Sequence, residues 1–308
     1  MKTKRILLPI MVTAWSIYYI LCDILIDVLG SPYFVGLLLR TITFIGLTIF
    51  LLLGQKLKFK IKKPKHFAAI ITTAILAFVF DCLINIGLQY SSATAGTALL
   101  KTEMVFVLFF GWLLYKRKMC VRDVVIALSM AAGSFMIVLG DLRAWSVDWW
   151  SLLFVLSAML NTICAFSIKK IQETCDIGSY QIVYINNTIS LLLYFVTAIV
   201  FDDSLFLNIS QLFQSNLWVV GAVCGVCQMT LMLTYYTALS KYQVWIVKAT
   251  LLLIPIITLF SNVLFSSEKI TLVQVIGTGI TLVSAFFLVI RDKNNIEVKL
   301  DKKGKSVD

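Results

Sequence analysis

Five charged residues in the first half of the sequence lie inside long apolar stretches, where charges are rare. They are Asp23, Arg40, Asp81, Lys101 and Glu103. A charged side chain in hydrocarbon is costly, so it pairs with an opposite charge, faces a water-filled space or binds a charged ligand. The three acids and two bases sum to a charge of −1 when all are ionised. Such a set can form ion pairs, bind a cation or exchange a proton at a carboxylate.

The expected depths of these charges make Glu103 the leading candidate. Lys101 and Glu103 fall close to the centre of one predicted helix. Arg40 and Asp81 lie about 4–5 Å outward of centre, and Asp23, the second candidate, about 9 Å outward, at a rise of about 1.5 Å per residue. Two interpretations stay open: a salt-bridge cluster that fixes helix packing, or charges that line a cavity, with one acid as a proton or cation site.

Five further residues at membrane depth are candidates, each with a structural alternative. Lys248 either reaches the cytoplasmic interface with its ammonium group or faces a cavity. Asn187 either bonds a neighbouring helix or contacts a ligand. Trp15 with Tyr18 or Tyr19 spans one helical turn and can line a cavity as an aromatic wall suited to an organic cation. Tyr235, on the eighth predicted helix, is a candidate of the same kind. Ordinary helix packing is the alternative for all of these aromatic residues.

The elements that position these residues are membrane-spanning helices. Of the 308 residues, 60% are hydrophobic and 14% charged, and the mean hydropathy is +0.93. Apolar runs of about 20 residues match the hydrocarbon thickness of a bilayer when they are helical. We therefore predict an all-α polytopic membrane protein with about ten helices, at roughly 6–29, 32–54, 67–89, 92–115, 122–140, 149–167, 179–201, 217–239, 242–265 and 270–290.

The net charge of +11 resides in loops and tails. We assign it to membrane topology and anionic lipid headgroups, and we exclude a nucleic-acid partner. With the N terminus inside, the outer loops hold only Arg143 and Lys269 as basic residues. We therefore expect a multi-pass protein of the cell membrane, plasma or inner, with both termini cytoplasmic. Residues 293–308 form a charged cytoplasmic tail that we expect to be disordered.

The residues of common catalytic and metal centres are scarce. His66 is the single histidine, which argues against a histidine metal site or a catalytic triad. The sequence has no phosphate-binding loop of the GxxxxGK type. Cys224 and Cys227 form a CxxC motif on a predicted membrane helix, where we favour packing over redox or metal chemistry. We expect no cofactor and no enzymatic activity.

An internal repeat relates the two halves of the chain. A shift of 151 residues aligns a polar joint, a long apolar helix, a charged loop and a final helix in both halves. We predict repeats at residues 1–145 and 146–292 with five helices each. Because five is odd, the second repeat enters the membrane from the opposite side, as in inverted-repeat transporters. Two fused repeats make a monomer sufficient, and a dimer is also compatible.

The stretch from Ala238 to Ile290 resembles the second repeat of the drug/metabolite transporter superfamily, in its ten-helix EamA-type branch. The shared pattern is a mid-helix proline, an acid at the next turn, then a spaced glutamine and glycine: Pro255, Glu268, Gln274 and Gly277. The first copy departs from it, with Met104 at the proline position and Arg117 at the acid position. Arg40 matches an arginine common in the second helix of this family.

The resemblance implies an inverted-repeat bundle with a central cavity and a secondary transporter that works by alternating access. We expect an exporter or proton-coupled carrier of a small metabolite, such as an amino acid or organic cation. The expected partners are that substrate, the lipid bilayer and protons. Tyr184 to Asn187 with Ser190 resemble the sugar-phosphate and nucleotide-sugar branch, so such an exchanger is the alternative. A membrane enzyme and a non-transporting membrane protein rank lower.

Overall fold

The computed structural model describes the chain in several ranges, which are residues 2–54, 64–90, 99–115, 120–139, 149–150, 152–175, 177–202, 205–214, 217–257, 259–260 and 271–287. The elements within these ranges are helices: α1 Lys2–Leu29, α2 Pro32–Leu53, α3 Pro64–Tyr90, α4 Glu103–Tyr115, α5 Val121–Leu139, α6 Leu152–Thr174, α7 Ser179–Phe201, α8 Leu205–Gln214, α9 Leu217–Lys241, α10 Val244–Leu251 and α11 Leu272–Phe287. This architecture confirms the predicted all-α membrane fold.

The predicted membrane segments each have a helix in the structure. Seven helices are long and apolar enough to cross a membrane, namely α1, α2, α3, α5, α6, α7 and α9. The shorter apolar helices α4, α10 and α11 occupy the other three predicted segments. The predicted repeat boundary, between residues 145 and 146, and the tail at 293–308 lie outside the described residues, so both stay predictions.

The sequence analysis did not predict α8. This helix has ten residues and lies between the two long helices α7 and α9. At about 1.5 Å per residue it is about 15 Å long, too short to span a bilayer, so a search for long apolar runs overlooks it. Its residue Asn208 is buried and donates through Nδ2 to Asp202 Oδ2 at 3.4 Å, which ties α8 to the end of α7.

The break between α1 and α2 follows from three adjacent residues. Gly30 has φ +67°, a conformation that costs glycine little because it has no Cβ. Ser31 is the N-cap of α2, and its hydroxyl accepts from the backbone N–H of Phe34 at 3.2 Å. Pro32 occupies the first helical turn, where a missing N–H is tolerated. These contacts form the tight turn that the sequence predicts at this place.

Helix packing reflects the two repeats. Helix α1 packs along α9, and α3, the third helix of the first repeat, packs equivalently along α6, the first helix of the second. The contact of α2 with α9 has its equivalent in the contact of α7 with α3. The second helices of the two repeats, α2 and α7, pack on each other. Exchanging the first three helices of one repeat for those of the other reproduces these contacts. This is the arrangement expected of two inverted five-helix repeats.

Glycines permit the closest helix contacts. Between α5 and α11, a Cβ added to Gly277 would lie 2.6 Å from the carbonyl oxygen of Gly133, and one added to Gly133 would lie 2.7 Å from that of Gly277. The two backbones therefore touch at this pair. Lipid is as apolar as leucine, so helices in a bilayer associate through such close packing rather than through the hydrophobic effect.

We expect Gly277→Ala to destabilise the protein, because the new methyl group meets backbone atoms that cannot rotate away. Overpacking of this kind costs about 1–3 kcal/mol. The control is Gly279→Ala on the same helix, where an added Cβ has nothing within 4 Å. Thermal unfolding of both variants in detergent measures the difference. Equal melting temperatures for the two variants would contradict the close contact.

Candidate functional site

The first buried ion pair joins α2 to α3. Arg40 Nη2 donates to Asp81 Oδ2 at 2.6 Å. Arg40 Nη1 lies 3.4 Å from the sulfur of Met232, so the guanidinium also contacts α9. Only 9% of Arg40 is exposed. The arginine thus touches helices of both repeats, and its charge is balanced by one of the predicted acids.

The second ion pair joins α4 to α10, one helix from each repeat. Lys248 Nζ lies 2.5 Å from Glu103 Oε1. Lys248 is 3% exposed, so its ammonium is directed into the bundle rather than to the cytoplasmic interface. The same ammonium lies 5.1 Å from the ring centroid of Tyr235, within the range of a cation–π contact. The partner of Glu103 is therefore 145 positions away in sequence.

Aromatic side chains of α1 and α9 continue from this ion pair. Tyr235 meets Trp15 edge to face with ring centroids 5.5 Å apart. Trp15 and Tyr19 have centroids 6.5 Å apart, and Tyr19 is 5.7 Å from Tyr18. Trp15, Tyr18, Tyr19 and Tyr235 thus form one connected group. Both tyrosines that the sequence offers as partners of Trp15 on α1 belong to it.

Three residues keep accessible surface on the inner sides of their helices. Tyr19 is 43% exposed, and the side chains of Asp81 and Glu103 are 24% and 20% exposed. Each lies two positions from an exposed apolar residue of the lipid-facing side: Ile17, Val79 and Val105. Two positions are about 200° around a helix. The accessible surface of Tyr19, Asp81 and Glu103 therefore faces inward, onto a space that we call the inner chamber.

Tyr19 connects the two ion pairs, because it is close enough to interact electrostatically with Asp81 of one pair and with Glu103 and Lys248 of the other. A molecule beside Tyr19 would therefore lie near a carboxylate of each pair. This arrangement can bind a small charged ligand, because each carboxylate is held by a cation yet keeps some accessible surface.

Asn187 lies outside the inner chamber, in the contact between α2 and α7. Its Nδ2 donates to the backbone carbonyl of Arg40 at 3.2 Å, and the residue is fully buried. Arg40 and Asn187 occupy equivalent positions, nine residues after the N-caps Ser31 and Gly178 of their helices. In the structure, Asn187 therefore bonds a neighbouring helix, which is the alternative to a ligand contact that the sequence analysis left open.

Lys101 and Asp23 are not brought into these pairs. Lys101 lies in the turn before α4, and among the described residues it has no ion-pair partner, although it interacts electrostatically with Glu103. Asp23 lies in α1, but its side chain is outside the part of the chain that the structure describes. The binding roles of all these residues stay predictions.

Cys224 is fully buried, and its thiol faces the backbone carbonyl of Tyr18 at 3.7 Å. One residue further along α9, a Cβ added to Gly225 would lie 2.5 Å from Cγ2 of Ile42. Cys224 and Gly225 thus take part in helix packing, which is the interpretation that we favoured for the CxxC motif. The expectation that the protein needs no cofactor stays a prediction.

We expect Asp81→Asn to lower stability by about 3–5 kcal/mol, because it leaves the buried guanidinium of Arg40 without a counter-charge. The double variant Arg40→Met with Asp81→Leu removes both charges and should regain most of that loss. Thermal or denaturant unfolding of the purified protein in detergent measures both effects. If the losses of the single variants Arg40→Met and Asp81→Leu simply add in the double variant, the pair contributes no coupling energy.

Comparison with known proteins identifies the family. The sequence pattern of the EamA-like transporter family matches residues 4–139 and again residues 148–290. No curated protein matches the chain. A solved structure described only as "Crystal structure of protein" is similar to it, with a TM-score of 0.72, 11% sequence identity, and coverage of 91% of this chain and 94% of that one. At this identity the likeness shows the fold alone. The two family matches cover nearly the whole chain, which therefore belongs to the EamA-like transporter family and is a membrane transporter of the drug/metabolite type.

Proposed function

We propose that the protein is a secondary active carrier that moves a small metabolite, such as an amino acid or organic cation, across the cell membrane by alternating access. It works as an exporter or proton-coupled carrier with both termini in the cytoplasm. The observation that carries this proposal is the Glu103–Lys248 ion pair, which joins the two repeats at membrane depth beside the inner chamber. A carrier needs a site between its repeats that a ligand or proton can alter.

The ion pair gives a physical route from binding to movement. A proton or a substrate ammonium group that occupies Glu103 competes with Lys248 for the same carboxylate. Because α4 and α10 come from different repeats, loss of this attraction changes the free energy of holding the repeats together. A ligand shifts a conformational equilibrium only through such a difference in interaction between two states.

Tyr235 supports a substrate that carries an ammonium group. Its ring already lies 5.1 Å from the ammonium of Lys248. The same aromatic face can accept a substrate ammonium of similar size and charge when Lys248 moves away. Trp15 extends this surface, since its ring meets Tyr235 edge to face. Amino acids and organic cations share this group, which is why both are retained as the substrate class.

The proposal is tested by tracer uptake into liposomes that contain the purified protein, with and without a pH gradient. The panel comprises amino acids, organic cations and sugar phosphates. We expect Glu103→Gln to reduce gradient-driven flux at least tenfold, because the neutral amide can neither exchange a proton nor replace the carboxylate. The control Glu297→Gln removes a carboxylate of the charged C-terminal segment, outside the predicted membrane segments, and should retain flux. Unchanged, still pH-sensitive flux in Glu103→Gln would refute the proposed role.

Lys169 offers a second test, directed at alternating access. Its ammonium donates to the carbonyls of Leu239 at 2.8 Å and Tyr242 at 3.1 Å, at the junction of α9 and α10. Helix α6 packs along α3 and α4, whereas α9 packs along α1 and α2. Lys169 therefore joins two groups of helices, at the end that the charge distribution predicts to be cytoplasmic.

We expect Lys169→Met to favour the state that is open to the cytoplasm, because the carbonyls lose their cationic partner. The measurement is the labelling rate of buried Cys164 by a membrane-impermeant maleimide from the cytoplasmic side, followed by mass spectrometry. The adjacent and exposed Lys170 provides the control Lys170→Met. Faster labelling in Lys169→Met alone supports gating. Equal rates in both variants would contradict it.

A further inference from the structure

A buried carboxylate lies at the end of the bundle opposite to Lys169. Asp202 follows α7 directly and is 9% exposed. The hydroxyl of Ser31 donates to Asp202 Oδ2, and Asn208 Nδ2 donates to the same oxygen at 3.4 Å. Lys169 lies near the start of α7, and the 23 residues of that helix place Asp202 about 35 Å further along it. The charge distribution predicts that this end faces outside.

The two hydrogen bonds to Asp202 join α7 to three other helices. Ser31 lies in the turn between α1 and α2, and its oxygen accepts from the N–H of Phe34 while its proton goes to Asp202. Asn208 lies on α8, which packs on α1 and α9. Ser31, Asp202 and Asn208 are all buried. Since a buried polar group is stable only while it is hydrogen-bonded, these contacts hold the outer end of α7 against its neighbours.

Helix α8 has three different faces along its ten residues. Asn208 and Leu212 are buried against the bundle, where Leu212 packs in an apolar cluster with residues of α1, α2 and α9. Ile209 and Phe213, one turn apart, are 40% and 66% exposed. The serine and glutamine at 210–211 are exposed as well. A short helix with an apolar and a polar exposed side lies along a membrane surface, so α8 covers the outer ends of the helices beneath it.

The apolar sequence of α8 has no counterpart in the first repeat. The equivalent place between α2 and α3 carries six lysines, from Lys56 to Lys65. The pattern that the two repeats share therefore does not account for α8. The two ends of the bundle are also held by different contacts. Lys169 donates to backbone carbonyls at one end, and a carboxylate accepts from side chains at the other.

We propose that Ser31, Asp202 and Asn208 form the outer gate of the carrier, with α8 as its lid. This inference rests on the proposed function, because alternating access requires a site that is closed on one side when it is open on the other. Opening the inner chamber to the outside breaks the contacts of Asp202, and opening it to the cytoplasm breaks those of Lys169. The strength of each set of contacts sets the balance between the two states.

Cys22 reports opening at the outer end. It lies on α1, one turn outward of Tyr19, whose accessible surface borders the inner chamber. It is partly buried and packs against the apolar cluster that contains Leu212 of α8. The rate at which a membrane-impermeant maleimide labels Cys22 from the outside therefore measures how often the outer gate opens. Buried Cys164, labelled from the cytoplasmic side, measures opening at the other end.

We expect Asp202→Ala to increase the rate of Cys22 labelling from outside by about fivefold or more, because two buried donors lose their shared acceptor. Asn208→Ala removes one donor and should give a smaller increase. In Asp202→Ala the labelling of Cys164 from the cytoplasmic side should become slower, since molecules that are open outside are closed inside. The control is Val200→Ala, which truncates a side chain that is 62% exposed near the same end of α7 and should change neither rate.

The rates are measured by mass spectrometry in sealed membrane vesicles of each orientation. Unchanged Cys22 labelling in Asp202→Ala would overturn the outer gate. Faster labelling of both cysteines would also overturn it, because that result indicates a general loosening of the fold. The proposed function fails separately. Labelling that responds as expected, without flux of any substrate into liposomes, would refute the carrier alone. Flux without a response of Cys22 would refute the outer gate alone.

Discussion

The cost of placing a charge in hydrocarbon organises the interior of this bundle. Arg40 and Lys248 are both nearly fully buried, and each is held by a carboxylate from a different helix. Removing either carboxylate would leave a buried cation without its counter-charge. The helices that carry these residues are therefore fixed relative to one another by two contacts, and the remaining packing must be compatible with both.

Close packing at small residues also contributes to the association of the helices. In lipid the apolar side chains gain little by leaving their surroundings, so helices associate where their backbones can approach. Gly133 and Gly277 make such a contact between α5 and α11, and Gly225 accommodates Ile42 between α9 and α2. The apolar residues that face outward, including Ile17, Val79 and Val105, are exposed because their solvent is the bilayer.

The same two features that stabilise the bundle also make a carrier physically reasonable. Arg40 contacts helices of both repeats, while Glu103 and Lys248 join one helix of each. The attraction within an ion pair across the repeats is strong when water is excluded from it. The attraction becomes weak when a competing ion or a proton binds to one of the two charges. A contact with these properties allows one bound ligand to change how firmly two halves of a protein hold together. The inner chamber, bordered by Tyr19, Asp81 and Glu103, provides the place for that ligand.

The sequence by itself predicted about ten membrane segments, because a run of about 20 apolar residues matches the thickness of a bilayer. In the described part of the chain, seven helices are long and apolar enough to span, and three shorter apolar helices occupy the other segments. The sequence also determined which charges are unusual and that the halves repeat, and it indicated the glycine and serine turn before α2. Only the tertiary structure decided the pairing of Glu103 with Lys248, of Arg40 with Asp81, and the position of Asn187 against α2. These contacts join residues 41 to 147 positions apart, and no local periodicity encodes which faces of distant helices meet. The short helix α8 and the turn before Glu103 were not predicted from the sequence either. Hydropathy indicates whether a segment lies in lipid or in water, but it does not indicate whether the backbone of that segment is a regular helix.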